Sequence, residues 1–104
     1  MKNYLVLTDF SRNSKDALQY ALGMARVSGA KIDLFSVLTM PPNTSGTTGS
    51  LNIRLQENAQ NDMNKLMADL VTETVPIEPT IREGSVVSTV LQMIEETAAE
   101  IVIL

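Results

Sequence analysis

Short apolar runs alternate with longer amphipathic stretches along the chain. Tyr4, Leu5, Val6, Leu7 and Thr8 form a nearly unbroken apolar run, the pattern of a strand buried on both faces. Polar residues Asp9 to Asn13 follow. Ser14 is then expected to cap a helix in which Ala17, Leu18, Ala21, Leu22 and Ala25 recur at helical spacing. Ser28-Gly29 should close that helix, with Gly29 in the left-handed position past its end. Residues 31–38, around Ile32, Leu34, Phe35 and Val37, predict a second strand. A second helix is expected over 53–74, buried through Met63, Leu66, Met67, Leu70 and Val71. Residues 76–82 alternate, with Ile77, Pro79 and Ile81 against Glu78, Thr80 and Arg82. A proline cannot donate to a strand ladder, so this third strand belongs at a sheet edge. Gly84-Ser85 opens a third helix, about 86–98, with Val87, Val90, Leu91, Ile94 and Ala98 on its apolar face and Glu95, Glu96 and Glu100 in solvent. Ile101 to Leu104 ends the sequence as a fourth strand.

Strands that alternate with helices predict an α/β fold: an open, mostly parallel sheet with helices on both faces and right-handed crossovers. One domain over residues 1–104 accounts for the whole pattern. Residues 39–52 lack apolar periodicity and contain Pro41, Pro42, Gly46 and Gly49, so they are expected to be a flexible loop.

Composition narrows the chemistry. The 104 residues contain no cysteine and no histidine. Disulfides, thiolate or imidazole metal sites and histidine-based catalysis are therefore excluded. Eight basic residues against twelve acidic ones give a net charge of −4, with no basic stripe for a phosphate backbone, so nucleic acid is not expected as a partner. No apolar run approaches the ~20 residues of a membrane span or the ~7–15 of a secretory signal. A cytoplasmic location without a membrane partner is expected.

Open parallel sheets bind ligands beyond the carboxyl ends of their strands. Asp9 follows the first strand directly. Its carboxylate either accepts from ribose hydroxyls or a base amine, or caps the connection through local backbone bonds. Thr8 adds a hydroxyl there. Gly84-Ser85 reads mainly as a helix cap, and Gly23, inside the first helix, as a close-packing position. The G-x-x-x-x-G-K-[ST] and G-x-G-x-x-G phosphate motifs are missing. A phosphorylation receiver is disfavoured, because only Asp9 supplies an acid at the first strand and the third ends in Arg82-Glu83-Gly84. No side chain is assigned as a general base or nucleophile, so an enzyme is not the favoured reading.

Tyr4-Leu5-Val6-Leu7-Thr8-Asp9-Phe10-Ser11, then Asn13-Ser14, Ala17-Leu18 and Ala21, resembles the opening of the universal stress protein family. Gly29-Ala30-Lys31-Ile32-Asp33-Leu34, Glu83-Gly84 with Val90 and Ile94, and Ala99-Glu100-Ile101-Val102-Ile103 resemble its later segments. The resemblance implies strand order 3-2-1-4-5, or 3-2-1-4 for the strands present here. It also implies a stress-response regulator with an adenine-nucleotide site at the ends of strands one and four. The positions matching Thr8, Asp9 and Val37 would contact the adenosine part, and a homodimer is implied. In the family's ATP-binding members a G-x2-G-x9-G-[ST] loop after strand four holds the phosphates. The present sequence ends at Leu104, where that loop would begin, and Leu7 stands where the family usually has proline. ATP is accordingly expected of a longer chain carrying the loop, with weak or no ATP binding by residues 1–104. The alternative expectation is a nucleotide-independent dimerisation or interaction module.

Overall fold

The computed structural model describes residues 2–39 and 48–104. Seven elements follow in order: β1 (Asn3–Leu7), α1 (Arg12–Ser28), β2 (Lys31–Leu38), α2 (Thr48–Asp69), β3 (Ile77–Glu83), α3 (Val86–Thr97) and β4 (Ile101–Ile103). The strands form one sheet in the order β3-β2-β1-β4, and every pair is parallel. Val6 of β1 stands opposite Leu34 of β2 and Ile103 of β4, which makes β1 central. β3 lies at an edge, as its Pro79 requires.

Side chains alternate across the sheet and divide the core in two. Tyr4, Val6, Ile32 and Leu34 pack with Leu18, Ala21 and Leu22 of α1 and with Met63 and Leu66 of α2. Leu5 and Phe35 turn to the other face and pack with Val90 and Met93 of α3. Full burial of a side chain of this size contributes about 1.5–3 kcal/mol. These two clusters hold the helices on opposite faces and set the carboxyl ends of β1 and β2 side by side.

Several boundaries differ from the expectation. Ser11, not Ser14, caps α1: its side chain accepts from the Ser14 amide. The helix therefore starts three residues earlier in the polar connection. Gly29 takes the left-handed conformation at φ 74°, and its amide donates to the Ala25 carbonyl. α2 begins at Thr48 and ends at Asp69, against the expected 53–74. Residues 48–52 of the expected loop are thus helical, while 40–47 lie outside the described residues. Because α2 ends early, Val71 falls in the following turn and is 80% exposed instead of buried. On α3 the buried positions are Thr89, Val90 and Met93, whereas Val87 and Leu91 sit on an exposed flank. Glu96 is exposed, as expected, and pairs at the surface with Arg82 of β3 at 2.6 Å. Nothing lies within 4 Å of a Cβ built at Gly23, so close packing does not explain that glycine.

Polar side chains cluster at the amino end of the sheet. Arg26, near the end of α1, reaches Glu73 ahead of β3 with Nε 3.0 Å from Oε1. Hydrogen bonding from that guanidinium, the largest influence on it, holds the Glu73 carboxyl below its ordinary range. Asp33 of β2 is buried on the α3 face. Its Oδ1 lies 3.6 Å from Lys31 Nζ, and its Oδ2 has no hydrogen-bond partner.

Candidate functional site

The site is built where β1 gives way to α1. The Thr8 amide donates to the Phe35 carbonyl at 2.9 Å, extending the β1–β2 ladder one step past β1. The Thr8 side chain is buried; its Oγ1 accepts from the Phe10 amide and lies 3.1 Å from Ser14 Oγ. That hydroxyl is engaged in shaping the turn. Phe10 takes a positive φ of 65°, a conformation that costs a non-glycine residue roughly 1–2 kcal/mol. Its ring is half-buried against the α1-side core, which offsets that cost. The turn carries Asp9 outward at the strand's end.

Asp9 is exposed, and its Oδ1 accepts from the Ser11 amide at 2.9 Å. The local-capping alternative for Asp9 is therefore realised. Hydrogen bonding holds its carboxyl below the ordinary value of 3.8, from the Ser11 side chain first, the Ser11 amide next, then the Ser14 side chain. Asp9 is an anion at neutral pH. Its remaining acceptor capacity, including Oδ2, is open to a donor from outside.

Two cavities meet at Asp9. One, of about 260 Å³, is lined by Asp9, Phe10, Ser36, Val37 and Leu38 at the strand ends and by Leu55, Asn58, Ala59 and Asp62 of α2. The other, of about 280 Å³, lies between the ends of β1 and β4 and is lined by Leu7, Asp9, Ser11, Asn13, Ser14, Ala17 and Leu104. Each is below the roughly 300–1,000 Å³ of pockets that hold whole drug-sized ligands, and suits a fragment such as a base or a ribose. Of the residues singled out in the sequence, Asp9 and Val37 share a cavity wall. Thr8 lines neither cavity and supports the turn from behind.

The α2 contribution was missed by sequence reasoning. Leu55, Asn58, Ala59 and Asp62 recur at helical spacing and continue upward the stripe that buries Met63 and Leu66. The signal was that spacing; its meaning depended on where α2 overshoots the sheet. Gly84, at φ 144°, opens α3 beside Ser85, whose hydroxyl accepts from the Ser88 amide as a cap. Among the described residues, no group of three or more acidic side chains is arranged to hold a metal ion. No helix among them is long and apolar enough to cross a membrane.

Fold and site together define an open parallel α/β protein with small cavities at the carboxyl ends of its central strands. The chain belongs to the universal stress protein family, whose model matches residues 1–104. No curated protein matches the sequence. Among solved structures, universal stress protein UspA from Lactobacillus plantarum superposes with a TM-score of 0.86 at 18% identity, over 99% of this chain and 75% of that one. A universal stress protein family member from Burkholderia pseudomallei gives 0.83 at 20% identity, over 97% and 78%. An Arabidopsis thaliana family protein with AMP bound gives 0.73 at 13% identity, over 98% and 74%. A universal stress protein in complex with cAMP gives 0.74 at 18% identity, over 97% and 73%.

Proposed function

We propose that this chain is a stress-response regulatory protein that takes the adenosine part of an adenine nucleotide at the carboxyl end of β1, with cytoplasmic location. One observation carries the reading: Asp9, anionic and hydrogen-bonded by the Ser11 amide, stands on the wall between two fragment-sized cavities. A base fits beside Val37 and a ribose on the β4 side, with the carboxylate accepting from the ligand's hydroxyl or amine donors. Thr8 acts as a positioning residue for this turn. The AMP and cAMP held by two structurally similar proteins support the ligand class. No G-x2-G-x9-G-[ST] loop occurs in these 104 residues, so further phosphates add little. Calorimetry of the 104-residue chain with AMP and with ATP, with and without magnesium, tests this. AMP binding with ATP no more than a few-fold tighter is expected. ATP binding at micromolar strength with no detectable AMP binding would reject the reading.

A second reading, a nucleotide-independent module acting by self-association, is favoured by the edge strand β4. Ile101, Val102 and Ile103 are all apolar and none is fully buried. No charge or proline blunts pairing there, unlike β3 with Glu78, Pro79 and Arg82.

A further inference from the structure

The α2 wall of the cavity beside Val37 carries two polar side chains with no structural task. Asn58 and Asp62 both line that space of about 260 Å³, facing the strand ends. They stand one helical turn apart in α2, so their side chains project side by side, with Cβ atoms about 5–6 Å apart. Both are exposed. Polar neighbours on the same helix are engaged: Gln60 donates to Asn64 Oδ1 at 2.9 Å, and Gln56 donates to Glu83. Asn58 and Asp62 enter none of the hydrogen bonds or ion pairs among the described residues.

The cavity is chemically one-sided. Phe10, Val37 and Leu55 give it apolar surface, Asp9 places a carboxylate on the strand side and Asp62 one on the helix side, and no basic residue lines it. An ionised carboxylate only accepts hydrogen bonds. A flat apolar ring with an amine at its edge satisfies such a wall. The same ring with a carbonyl at that edge sets lone pair against lone pair, a repulsive element of the kind that gives specificity. The amide of Asn58 narrows the match to adenine. Asparagine pairs with adenine by accepting from its exocyclic amine and donating to the five-membered-ring nitrogen beside it. The second amine hydrogen is then free for Asp62. Asp9, shared with the cavity on the β4 side, is left to the ribose hydroxyls.

We propose that Asn58 and Asp62 of α2 read the base, selecting adenine by its exocyclic amine over a purine that carries a carbonyl in its place. The proposal rests on the adenosine reading of this site and adds the source of its base preference, which lies on the helix and not on the strand ends.

Calorimetry of the 104-residue chain tests it with three ligands: AMP, IMP, which has a carbonyl in place of the amine, and tubercidin monophosphate, which has carbon in place of the ring nitrogen. The wild type is expected to bind AMP about tenfold more tightly than either analogue. Asp62→Asn presents an amide that can donate to a carbonyl, so the preference for AMP over IMP should fall to about twofold or less. Asn58→Ala should weaken AMP about tenfold, but tubercidin monophosphate by no more than about threefold, because one partner of the lost bond is already missing. Both positions are exposed, and far-UV circular dichroism should match in the three proteins. Equal binding of AMP and IMP by the wild type, or a preference for AMP that survives both substitutions, overturns the base-reading role of α2. The adenosine site itself still stands in that case, provided that Asp9→Ala weakens AMP. A wild-type chain that binds no AMP overturns the adenosine reading and this inference with it.

Discussion

The Ser11 amide donates to Asp9 Oδ1 at 2.9 Å, while the Ser11 hydroxyl accepts from the Ser14 amide at 3.2 Å. One residue thus fixes both the start of α1 and the orientation of the candidate ligand acceptor. The helix entry and the site are mechanically a single turn, and Phe10, strained at positive φ between them, is anchored by its ring in the core.

Asp9→Ala is expected to weaken AMP binding about tenfold, the loss of one hydrogen bond to a charged acceptor. Asp9→Asn should lose about as much, because its amide oxygen still accepts from Ser11 but an NH2 donor then stands where Oδ2 accepted from the ligand. Calorimetry checks this, and unchanged affinity in Asp9→Ala would remove the residue from the site. The carboxyl is held below its ordinary value of 3.8, with Ser11 hydrogen bonding the main cause. A lowered carboxyl stays ionised above that value, and its contribution is lost as pH falls through the lower folded value. AMP affinity should therefore show no titration from Asp9 between about pH 5 and 8, and should decline only below about pH 4.

Gly84→Ala is expected to destabilise the fold by about 1–3 kcal/mol. The backbone there has φ 144°, and an added Cβ would stand 3.1 Å from Thr89 Oγ1. Thr89 is buried in α3 and has little room to give way. Urea unfolding measures the effect; a neutral result would mean that the turn before α3 relaxes freely.

Gly23→Ala should act in the opposite direction. The helix there has open space for a methyl group, and alanine removes conformational freedom from the unfolded chain. A gain of about 0.5–1 kcal/mol, or a few degrees in Tm, is expected. Thermal unfolding at low protein concentration checks it apart from any effect on association.

Asp33→Val should also stabilise the protein, by about 1 kcal/mol. Asp33 is 6% exposed, stands opposite Leu5 in the sheet, and leaves Oδ2 without a hydrogen-bond partner. Lys31 keeps an ion pair with Glu78 at 2.9 Å when Asp33 is removed. Chemical denaturation of the two proteins decides it. A loss of stability would show that Lys31 depends on Asp33 as well.

Much of the fold could be read from local pattern. The order of strands and helices, the edge position of β3 and the left-handed Gly29 each follow from residues acting over one or two turns: buried-strand runs, a proline without a donor, a glycine past a helix end. The location of Asp9 at the end of a buried strand was equally local. What periodicity cannot set is where a helix stops and which part of it meets the sheet. Val71 continues the α2 stripe in sequence, yet α2 has already ended at Asp69. Val87 and Leu91 look like core residues, yet α3 touches the sheet through Val90 and Met93. The α2 wall of the cavity and the buried Thr8 hydroxyl exist only once elements distant in the chain are brought together. Hydrophobic spacing determines that a face seeks cover; only the three-dimensional arrangement decides which faces find it, because burial depends on neighbours that local sequence does not contain.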